Sequence, residues 1–536
     1  MSVWIRELSH AEVAPLLRPG GALDGVPFAL KDNLDLAGVP TTAACPALTT
    51  PATTSASAVQ RLLDAGAVPV GKTNMDQFAT GLVGTRSPYG ACSSVASADH
   101  VSGGSSSGSA VAVASGLVPL ALGTDTAGSG RVPAAFNGLV GVKPTRGLVS
   151  TAGVLPACRS LDCVTTLTRT VAEGRDALAV LAAYDPADPW SRRAPVTAPA
   201  GVAARMSVVG VPAGDLDLDP EVRSAWGRAV ARAREVAHVV EVDVAPFLEA
   251  AQLLYSGPWL AERWAAFGHL LEHDGPHLDP VVRRVVLPGR DLLAADVFRG
   301  LDRLAALRRR TEPVWDDVDA LLLPVTPGHP THAQVAADPL GVNARLGTYT
   351  NFVNLLDLCA VAVPSGTRDD GLPHGVQLVA PAFADGPLLD LASRFCGEPV
   401  AEPAPPPGRT LVAVAGAHLS GLPLNPQLVG LGGTLHSRAR TSAGYRLYAL
   451  PGSGVPRPGL VRTGDGPEDG LALELWSLPH QGVGQLADLV PSPLGLGTVR
   501  LADGTGVLGF LAEAAGTEGA LDVTASGGWR AHLAGR

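Results

Sequence analysis

The sequence predicts an α/β protein, a central mixed sheet covered by helices, followed by a smaller α+β domain. Two observations support this prediction. Apolar segments of strand length alternate with helical patterns from about residue 25 to residue 395, as in α/β folds. Four prolines between residues 400 and 410 then interrupt the alternation and favour extended polyproline structure.

Strands are predicted where a short apolar run is bounded by turn residues, and helices where apolar spacing is helical and ends at glycine. The predicted strands of the first domain are 25–30, 67–70, 117–123, 206–211, 320–326 and 359–366. The predicted helices are 55–66, 109–116 and 220–237. We therefore expect a first domain at 1–400, a Pro-rich linker at 401–409 and a C-terminal domain with short strands at 410–536.

Composition excludes several classes of protein. A chain that is 46% hydrophobic and 17% charged is not disordered. A net charge of −10 without a basic block argues against nucleic-acid and anionic-membrane partners. Six cysteines without a C-x-x-C pair indicate a reduced chain rather than a zinc ribbon. The N-terminus has charges where a signal peptide is apolar, and no apolar run could span a bilayer, so we expect a cytoplasmic protein.

Three strings match known motifs in letters only. Residues 66–73 fit the Walker A pattern, but their middle residues read as a strand where a phosphate-binding loop is needed. The string 104–108 fits the hydrolase elbow G-x-S-x-G without the buried strand that must precede it. His269, Glu272 and His273 fit an inverted zinc-protease motif without a partner helix, so we expect no metal.

Lysine is scarce, which draws attention to the few that are present. Only Lys31, Lys72 and Lys143 are lysines among 40 basic residues. A buried lysine can lose its proton and act as a base, whereas arginine cannot. Lys31 directly follows the apolar run of residues 26–30, which supplies a desolvated setting.

Three segments, 25–48, 102–116 and 122–147, together resemble the amidase signature family, and the resemblance covers about residues 25–395. The second is a Gly/Ser loop running into a helix, and the third is a strand followed by a Gly-rich turn. The resemblance implies an amidase fold without a cofactor and a Ser–Ser–Lys catalytic triad. The triad residues that it implies are Lys31, Ser105 and Ser129.

The implied chemistry is physically reasonable. Serine must hand its proton to a base, and no histidine lies between His100 and His238. A neutral Lys31 can take that role, with Ser105 relaying the proton of Ser129. Consecutive backbone N–H groups would stabilise the oxyanion. The residues expected to supply them are Thr126, Ala127, Gly128 and Ser129, with Asp125 and Arg131 ordering the turn.

Ser107 and Ala127 replace glycines of the family motifs, a pattern that resembles the allophanate hydrolase subfamily. Residues 253–263 resemble the substrate-recognition helix of that subfamily, which implies that Tyr255 and Arg263 bind the substrate. Arginine suits a carboxylate because it donates two parallel hydrogen bonds. The resemblance implies conversion of allophanate, a small anion, to ammonia and carbon dioxide through a Ser129 acyl-enzyme, in urea or s-triazine nitrogen catabolism.

The C-terminal domain also resembles that of the subfamily, which implies a γ-glutamyl-cyclotransferase-like fold. His418 is the polar candidate there, although a structural role is the favoured interpretation, and Ser526 stands where relatives can carry a histidine. The resemblance further implies a homodimer and functional coupling to urea carboxylase. Two alternatives remain open: a broad-specificity amidase or glutamine amidotransferase A-type subunit, and an inactive binding scaffold.

Overall fold

The structure is a computed structural model, and it describes residues 2–194, 206, 208–272, 275–400, 409–452, 454–502 and 504–535. The described residues divide into two compact units, one up to residue 400 and one from residue 409. Residues 401–408 of the predicted linker lie outside the described residues. Arg409, which the prediction assigned to the linker, is the first residue of a strand.

Within the described part of the first unit, eleven of thirteen strands form one mixed sheet, in the order β1-β3-β2-β6-β8-β7-β12-β13-β11-β9-β10. This architecture confirms the predicted α/β class. The remaining two strands, β4 and β5, form a hairpin. The strands are β1 (Trp4–Glu7), β2 (Pro27–Lys31), β3 (Val68–Thr73), β4 (Ser93–Ser94), β5 (Ser97–Val101), β6 (Leu120–Asp125), β7 (Val140–Lys143), β8 (Cys163–Thr168), β9 (Val208–Pro212), β10 (His238–Val242), β11 (Ala320–Pro324), β12 (Leu358–Thr367) and β13 (Pro373–Pro381).

Helices cover this sheet, and their apolar faces pack against the buried strands. The α-helices of the unit are α1 (His10–Val13), α2 (Ser57–Asp64), α3 (Ser107–Ala114), α4 (Arg131–Phe136), α5 (Val171–Leu181), α6 (Pro220–Val236), α7 (Ala245–Ser256), α8 (Trp259–Phe267), α9 (Pro280–Val286), α10 (Ala294–Thr311), α11 (Val314–Asp317), α12 (His332–Ala337), α13 (Gly341–Leu346), α14 (Asn351–Leu355) and α15 (Asp385–Cys396). The predicted helices 55–66, 109–116 and 220–237 correspond to α2, α3 and α6.

The strand order places the carboxyl ends of three neighbouring parallel strands at one edge of the sheet. Strand β2 lies between β3 and β6 and runs parallel to both, so the carboxyl ends of all three lie at one edge. Lys31 is the last residue of β2, and Asp125 is the last residue of β6. Loops that follow parallel strands at this edge are where α/β proteins usually bind ligands.

The second unit contains a five-stranded sheet in the order β15-β18-β14-β20-β19 and a three-stranded sheet in the order β17-β16-β21, counted over its described residues. Its elements are β14 (Arg409–Val414), β15 (Thr434–Arg440), β16 (Tyr445–Ala449), β17 (Pro458–Arg462), β18 (Ala472–Pro479), β19 (Leu494–Arg500), β20 (Gly506–Ala512), β21 (Leu521–Asp522), α16 (Asn425–Gly430), α17 (His480–Asp488) and α18 (Trp529–Ala534). The predicted α+β class is therefore correct, whereas the γ-glutamyl-cyclotransferase resemblance stays a prediction.

Candidate active site

Lys31 lies at the carboxyl end of β2 with its side chain fully buried. Its Nζ lies 2.7 Å from Ser105 Oγ and 2.7 Å from Thr124 Oγ1. Thr124 belongs to the neighbouring parallel strand β6, so the strand pairing itself brings the hydroxyl to the amine. No carboxylate among the described residues forms an ion pair with Lys31, which leaves two neutral hydroxyls as its close side-chain partners.

Burial determines the protonation of Lys31. Removing the amine from water disfavours its charged form and lowers the pKa of Lys31 from 10.5 to about 7. The more distant carboxylates of Asp76, Asp162 and Asp125 oppose this decrease because they favour the ammonium. At neutral pH a large fraction of Lys31 is therefore an unprotonated amine, as a general base must be.

Ser105 follows Gly104 through a cis peptide bond and is buried. The Ser105 carbonyl accepts a 3.2 Å hydrogen bond from the N–H of Asp76. The Asp76 carboxylate in turn accepts the N–H groups of Gly84 and Arg86 at 3.0 and 2.9 Å. Position 104 requires glycine because a Cβ there would overlap the Asp76 carboxylate. The Gly/Ser loop is thus an ordered part of the core.

Ser129 lies in the turn between β6 and α4 and is 2% exposed. Its carbonyl accepts a 3.2 Å hydrogen bond from the N–H of Ser106, so the turn contacts the Gly/Ser loop directly. Its hydroxyl donates to the carbonyl of Gly81 at 3.5 Å. Among the described residues no hydrogen bond joins the hydroxyls of Ser129 and Ser105.

A buried ion pair orders the turn that carries Ser129. Arg131 donates to both oxygens of Asp125, at 2.9 and 3.0 Å, and both side chains are fully buried. The Asp125 carboxylate also accepts the N–H groups of Gly128 and Gly130 at 2.7 and 3.2 Å. These contacts match the ordering role predicted for Asp125 and Arg131.

The backbone N–H groups predicted to stabilise the oxyanion differ in whether they already donate a hydrogen bond within the protein. The N–H of Gly128 is donated to Asp125, so it is already occupied, which argues against its predicted role. Gly128 has φ of +136°, and a Cβ there would lie 2.5 Å from Thr350 Oγ1. The N–H groups of Thr126, Ala127 and Ser129 have no acceptor among the described residues. These three remain candidates to bind a substrate oxygen.

Tyr255 and Arg263 lie on two helices, not on the single recognition helix that the sequence predicts. Tyr255 lies near the end of α7 and Arg263 lies on α8, and the two helices are separated by Gly257 and Pro258. The break brings the two side chains together: the guanidinium carbon of Arg263 lies 5.6 Å from the centre of the Tyr255 ring.

Arg263 is a buried cation that forms no salt bridge with a described carboxylate, although Asp162 and Glu262 act on it electrostatically from a longer distance. It is 1% exposed, and Nη1 donates a 3.1 Å hydrogen bond to Thr80 Oγ1. Its Nε has no partner, and no carboxylate of the described residues forms a salt bridge with it. Thr80 immediately precedes Gly81, whose carbonyl accepts the Ser129 hydroxyl. Arg263 and Ser129 therefore contact adjacent residues of one buried segment.

A scan against protein-family models identifies the class of this site. Residues 4–389 match the Amidase family model, which is more than half of the chain. The chain belongs to the amidase family. Residues 410–534 match a second model, the allophanate hydrolase C-terminal domain. The first unit is thus an amidase domain, and the chain is an amidohydrolase.

Individual relatives agree with both matches. The chain is 41% identical to urea amidolyase of Saccharomyces cerevisiae over 95% of its own length, but it spans only 30% of that relative. It is 36% identical to the A-type subunit of glutamyl-tRNA(Gln) amidotransferase of Acidobacterium capsulatum, covering 72% of this chain and 86% of the relative. The solved structure of Kluyveromyces lactis allophanate hydrolase superposes with a TM-score of 0.75 at 40% identity, covering 99% of this chain and 93% of the other.

Sequence reasoning missed three polar residues that contact the proposed groups of this amidase. Thr124 binds Lys31, Thr80 binds Arg263, and Asp162 accepts a 2.5 Å hydrogen bond from Thr126 Oγ1. Only the position of Thr124 gave a usable signal, because it lies near the end of a strand predicted to be buried. Thr80 and Asp162 lie outside every strand and helix that the sequence predicts.

The two other lysines of the amidase domain are buried outside the site. Lys72 Nζ lies 3.1 Å from Asp32 Oδ1 and donates to the Leu34 carbonyl at 2.7 Å. Lys143 Nζ donates to the Pro144 carbonyl at 2.7 Å. Lys72 therefore joins β3 to the backbone at Leu34, whereas Lys143 binds the carbonyl of the residue that follows it, and neither lysine contacts Ser129.

The strings that match the Walker A and zinc-protease patterns do not adopt the structures that those patterns require. Val68–Thr73 is strand β3, so the Walker-like string 66–73 supplies no phosphate-binding loop. His269 lies in a 3-10 turn at Gly268–Leu270 instead of a long helix, and His273 is outside the described residues. Across the described ranges, no cluster of three or more metal-binding side chains occurs. No described helix is long and apolar enough to cross a membrane.

His418, the predicted C-terminal candidate, lines a pocket with mostly apolar walls in the second unit. Its Nε2 lies 2.9 Å from Gln427 Oε1, its ring stacks on Phe510, and burial lowers its pKa. Arg457 lines the same pocket, and its buried Nε has no partner among the described residues. Ser526 is not part of this pocket; its hydroxyl donates to the Val523 carbonyl at 2.6 Å.

Proposed function

We propose that this amidase hydrolyses allophanate, the anion urea-1-carboxylate. The observation that carries the proposal is the buried guanidinium of Arg263, which forms no salt bridge with a described carboxylate and lies beside the segment that contacts Ser129. Asp162 and Glu262 act on it only from a longer distance, and a substrate carboxylate would supply the direct ion pair that a buried charge favours. Allophanate has a carboxylate at one end and a primary amide at the other, so Arg263 would bind the first while Ser129 attacks the second.

Attack begins when Ser129 Oγ turns from the Gly81 carbonyl towards Ser105. Ser105 takes the proton of Ser129 and passes its own to the neutral amine of Lys31, 2.7 Å away. The Thr124 hydroxyl, also 2.7 Å from Lys31, orients the amine. A bond forms between Ser129 Oγ and the amide carbon, and the carbonyl oxygen becomes an oxyanion. The N–H groups of Thr126, Ala127 and Ser129 would stabilise that charge.

Collapse of the tetrahedral intermediate expels the amide nitrogen. The proton stored on Lys31 returns through Ser105 to that nitrogen, which leaves as ammonia and leaves an acyl group on Ser129. Water then attacks the acyl carbon, and the same Lys31–Ser105 pair removes the water proton. The product is N-carboxycarbamate, which loses carbon dioxide to give carbamate and then a second ammonia and carbon dioxide.

The substrate-binding role of Tyr255 follows from its position. Its ring lies over the Arg263 guanidinium, so it shields the cation from water on one face and leaves the N–H edge for a carboxylate. Arginine can donate two parallel hydrogen bonds to a carboxylate, and within the described ranges Nη1 alone has an acceptor, Thr80 Oγ1.

Two relatives support this assignment by name, one being urea amidolyase and the other allophanate hydrolase. The chain spans 30% of the urea amidolyase length. We therefore propose that it supplies only the amide-hydrolysing part of such an activity. A urea carboxylase would then supply its substrate, in urea nitrogen catabolism. A homodimer and a cytoplasmic location remain predictions.

The decisive experiment compares ammonia release from allophanate, biuret, acetamide and glutamine. Allophanate should exceed each of the others in kcat/KM by at least about 100-fold, because a site built around a buried polar group rejects ligands that leave it unpaired. Preference for glutamine would instead support an amidotransferase role, and a broad profile would support a general amidase. Failure of a fluorophosphonate to label Ser129 would support the inactive scaffold.

A further inference from the structure

We propose that Asp162 is a positioning residue: its buried carboxylate holds Thr126 and thereby fixes the turn whose N–H groups stabilise the oxyanion. This inference rests on the proposed role of that turn, but not on the identity of the substrate. Thr126 Oγ1 donates to Asp162 Oδ1 at 2.5 Å, and both side chains are almost completely buried.

The sheet register places these two residues opposite each other. Strands β6 and β8 are antiparallel, and Asp125 pairs with Cys163 at their ends. Thr126 and Asp162 are the next residues outward on the two chains, so they leave the sheet side by side. The hydrogen bond between them extends the ladder by one step and controls the direction in which the chain enters the turn.

Asp162 also holds the segment of residues 157–162, here termed the bridging loop. Its carboxylate accepts the N–H groups of Ala157 and Cys158 at 2.9 and 3.3 Å. At the other side of the loop, the N–H and hydroxyl of Ser160 donate to the Glu262 carboxylate at 2.7 and 2.6 Å. Glu262 adjoins Arg263 on α8. The bridging loop therefore connects the oxyanion turn to the helix that carries the proposed carboxylate ligand.

The charges around Asp162 make its role measurable. Arg263 and Glu262 from α8, Cys158 from the bridging loop and Lys31 from β2 all interact with this region electrostatically. Burial raises the pKa of Asp162 to about 6, and hydrogen bonds and Arg263 oppose the increase. When ionised, Asp162 favours the ammonium form of Lys31, so loss of its charge lowers the pKa of Lys31.

The test uses full-length Asp162→Asn and Thr126→Val, assayed for ammonia release from allophanate. Each should decrease kcat by about 10- to 100-fold. Thr126→Val, which changes no charge near Arg263, should also leave KM within about twofold, because a displaced oxyanion donor weakens transition-state stabilisation alone. The double variant should be no worse than the more impaired single variant, since both substitutions remove one interaction.

A matched control comes from a second buried Asp–Thr pair of the same unit. Thr145 donates to Asp385 through its hydroxyl at 2.6 Å and its N–H at 2.8 Å, outside the site. Asp385→Asn or Thr145→Val should lower thermal stability while leaving kcat unchanged. If the control variants decreased kcat as strongly as Asp162→Asn does, the loss would be structural and the proposal wrong.

The pH profile supplies a readout that a structural role does not affect. Below neutral pH, wild-type kcat should fall by protonation of two groups, Lys31 near pH 7 and Asp162 near pH 6. In Asp162→Asn only the protonation of Lys31 should decrease kcat. The midpoint of this decrease should shift to lower pH, because the Lys31 ammonium loses a neighbouring anion. An unchanged acid limb in this variant would overturn the proposal.

Labelling of Ser129 by a fluorophosphonate keeps the test independent of the substrate. If the wild type does not turn over allophanate, the proposed function is wrong, yet labelling still reports on the oxyanion turn. Slower labelling of Thr126→Val than of Thr145→Val supports the positioning role. Equal rates overturn it, and this comparison holds even if Asp162→Asn fails to fold.

Discussion

Lys31 Nζ donates a 2.7 Å hydrogen bond to Ser105 Oγ, although 74 residues separate the two in the chain. The amine is buried at the end of β2, and the hydroxyl belongs to an ordered loop that leads into α3. Because burial lowers the pKa of Lys31 to about 7, this contact joins a hydroxyl to an amine that exchanges protons near neutral pH. The predictions below depend on that pairing.

Replacing the proposed base should abolish catalysis without unfolding the protein. We expect Lys31→Met to decrease kcat for ammonia release by at least about 1000-fold, because it removes a general base and no other described amine contacts Ser105. Lys143→Met is the matched control, since Lys143 is also buried but forms no hydrogen bond with Ser105 or Ser129. Its ammonia release should stay within about twofold of wild type, and equal losses in both variants would contradict the assignment.

The same lysine predicts how stability depends on pH. The folded-state pKa of Lys31 is about 7, against 10.5 for the free side chain. Between these values the unfolded chain binds more protons than the folded chain, so the contribution of Lys31 to stability rises with pH. Below about pH 7 the penalty of burying the ammonium is fully present. Lys31→Met should therefore stabilise the protein more at pH 7 than at pH 10, as measured by denaturant unfolding, and an equal gain at both would argue against the depressed pKa.

The sequence predicted the fold well where elements have strong internal patterns. The runs at 320–326 and 359–366 correspond to β11 and β12, because continuous apolar residues mark strands buried on both faces. Strand β8 was missed since its residues, Cys163–Thr168, include three threonines and read as a polar segment. In the second unit, β15 was missed because TLHSRAR is an edge strand with charged, partly exposed side chains.

Only those residues of the proposed site that lie in recognisable sequence motifs could be predicted from the sequence. Lys31, Ser105 and Ser129 were identified from three segments that resemble a family, and the structure brings their loops together. The engagement of Gly128 by Asp125 was not predictable, because it depends on how the turn closes around a buried carboxylate. The helix break between Tyr255 and Arg263 was signalled by Gly257 and Pro258, which disfavour a continuous helix.

Arg263 should determine affinity for the substrate carboxylate. We expect Arg263→Ala to raise KM for allophanate by about 100-fold or more, because it removes a charge-assisted pair in a desolvated setting. For biuret, the neutral analogue in which an amide replaces the carboxylate, the substitution should raise KM far less. The preference for allophanate over biuret, measured as a ratio of kcat/KM values, should therefore collapse.

The control for this variant is Arg308→Ala. Arg308 is an exposed residue of α10 that donates to the Leu355 carbonyl at 3.4 Å and does not contact the site. It should keep the wild-type preference for allophanate. An unchanged KM in Arg263→Ala would mean that Arg263 is a structural cation, and the argument from its missing salt bridge would fail.

His418 should affect carbon dioxide release without affecting the first ammonia. The pocket of the second unit joins this imidazole, kept neutral by burial, to the Arg457 guanidinium, a pair suited to a carboxylated product. In full-length His418→Asn, we expect the initial rate of ammonia release to stay within about twofold and carbon dioxide release to slow by about tenfold or more. The exposed His480 of the same unit provides the control His480→Asn, which should change neither rate. If carbon dioxide and ammonia kept their wild-type ratio in both variants, His418 would be structural and decarboxylation would proceed without the second unit.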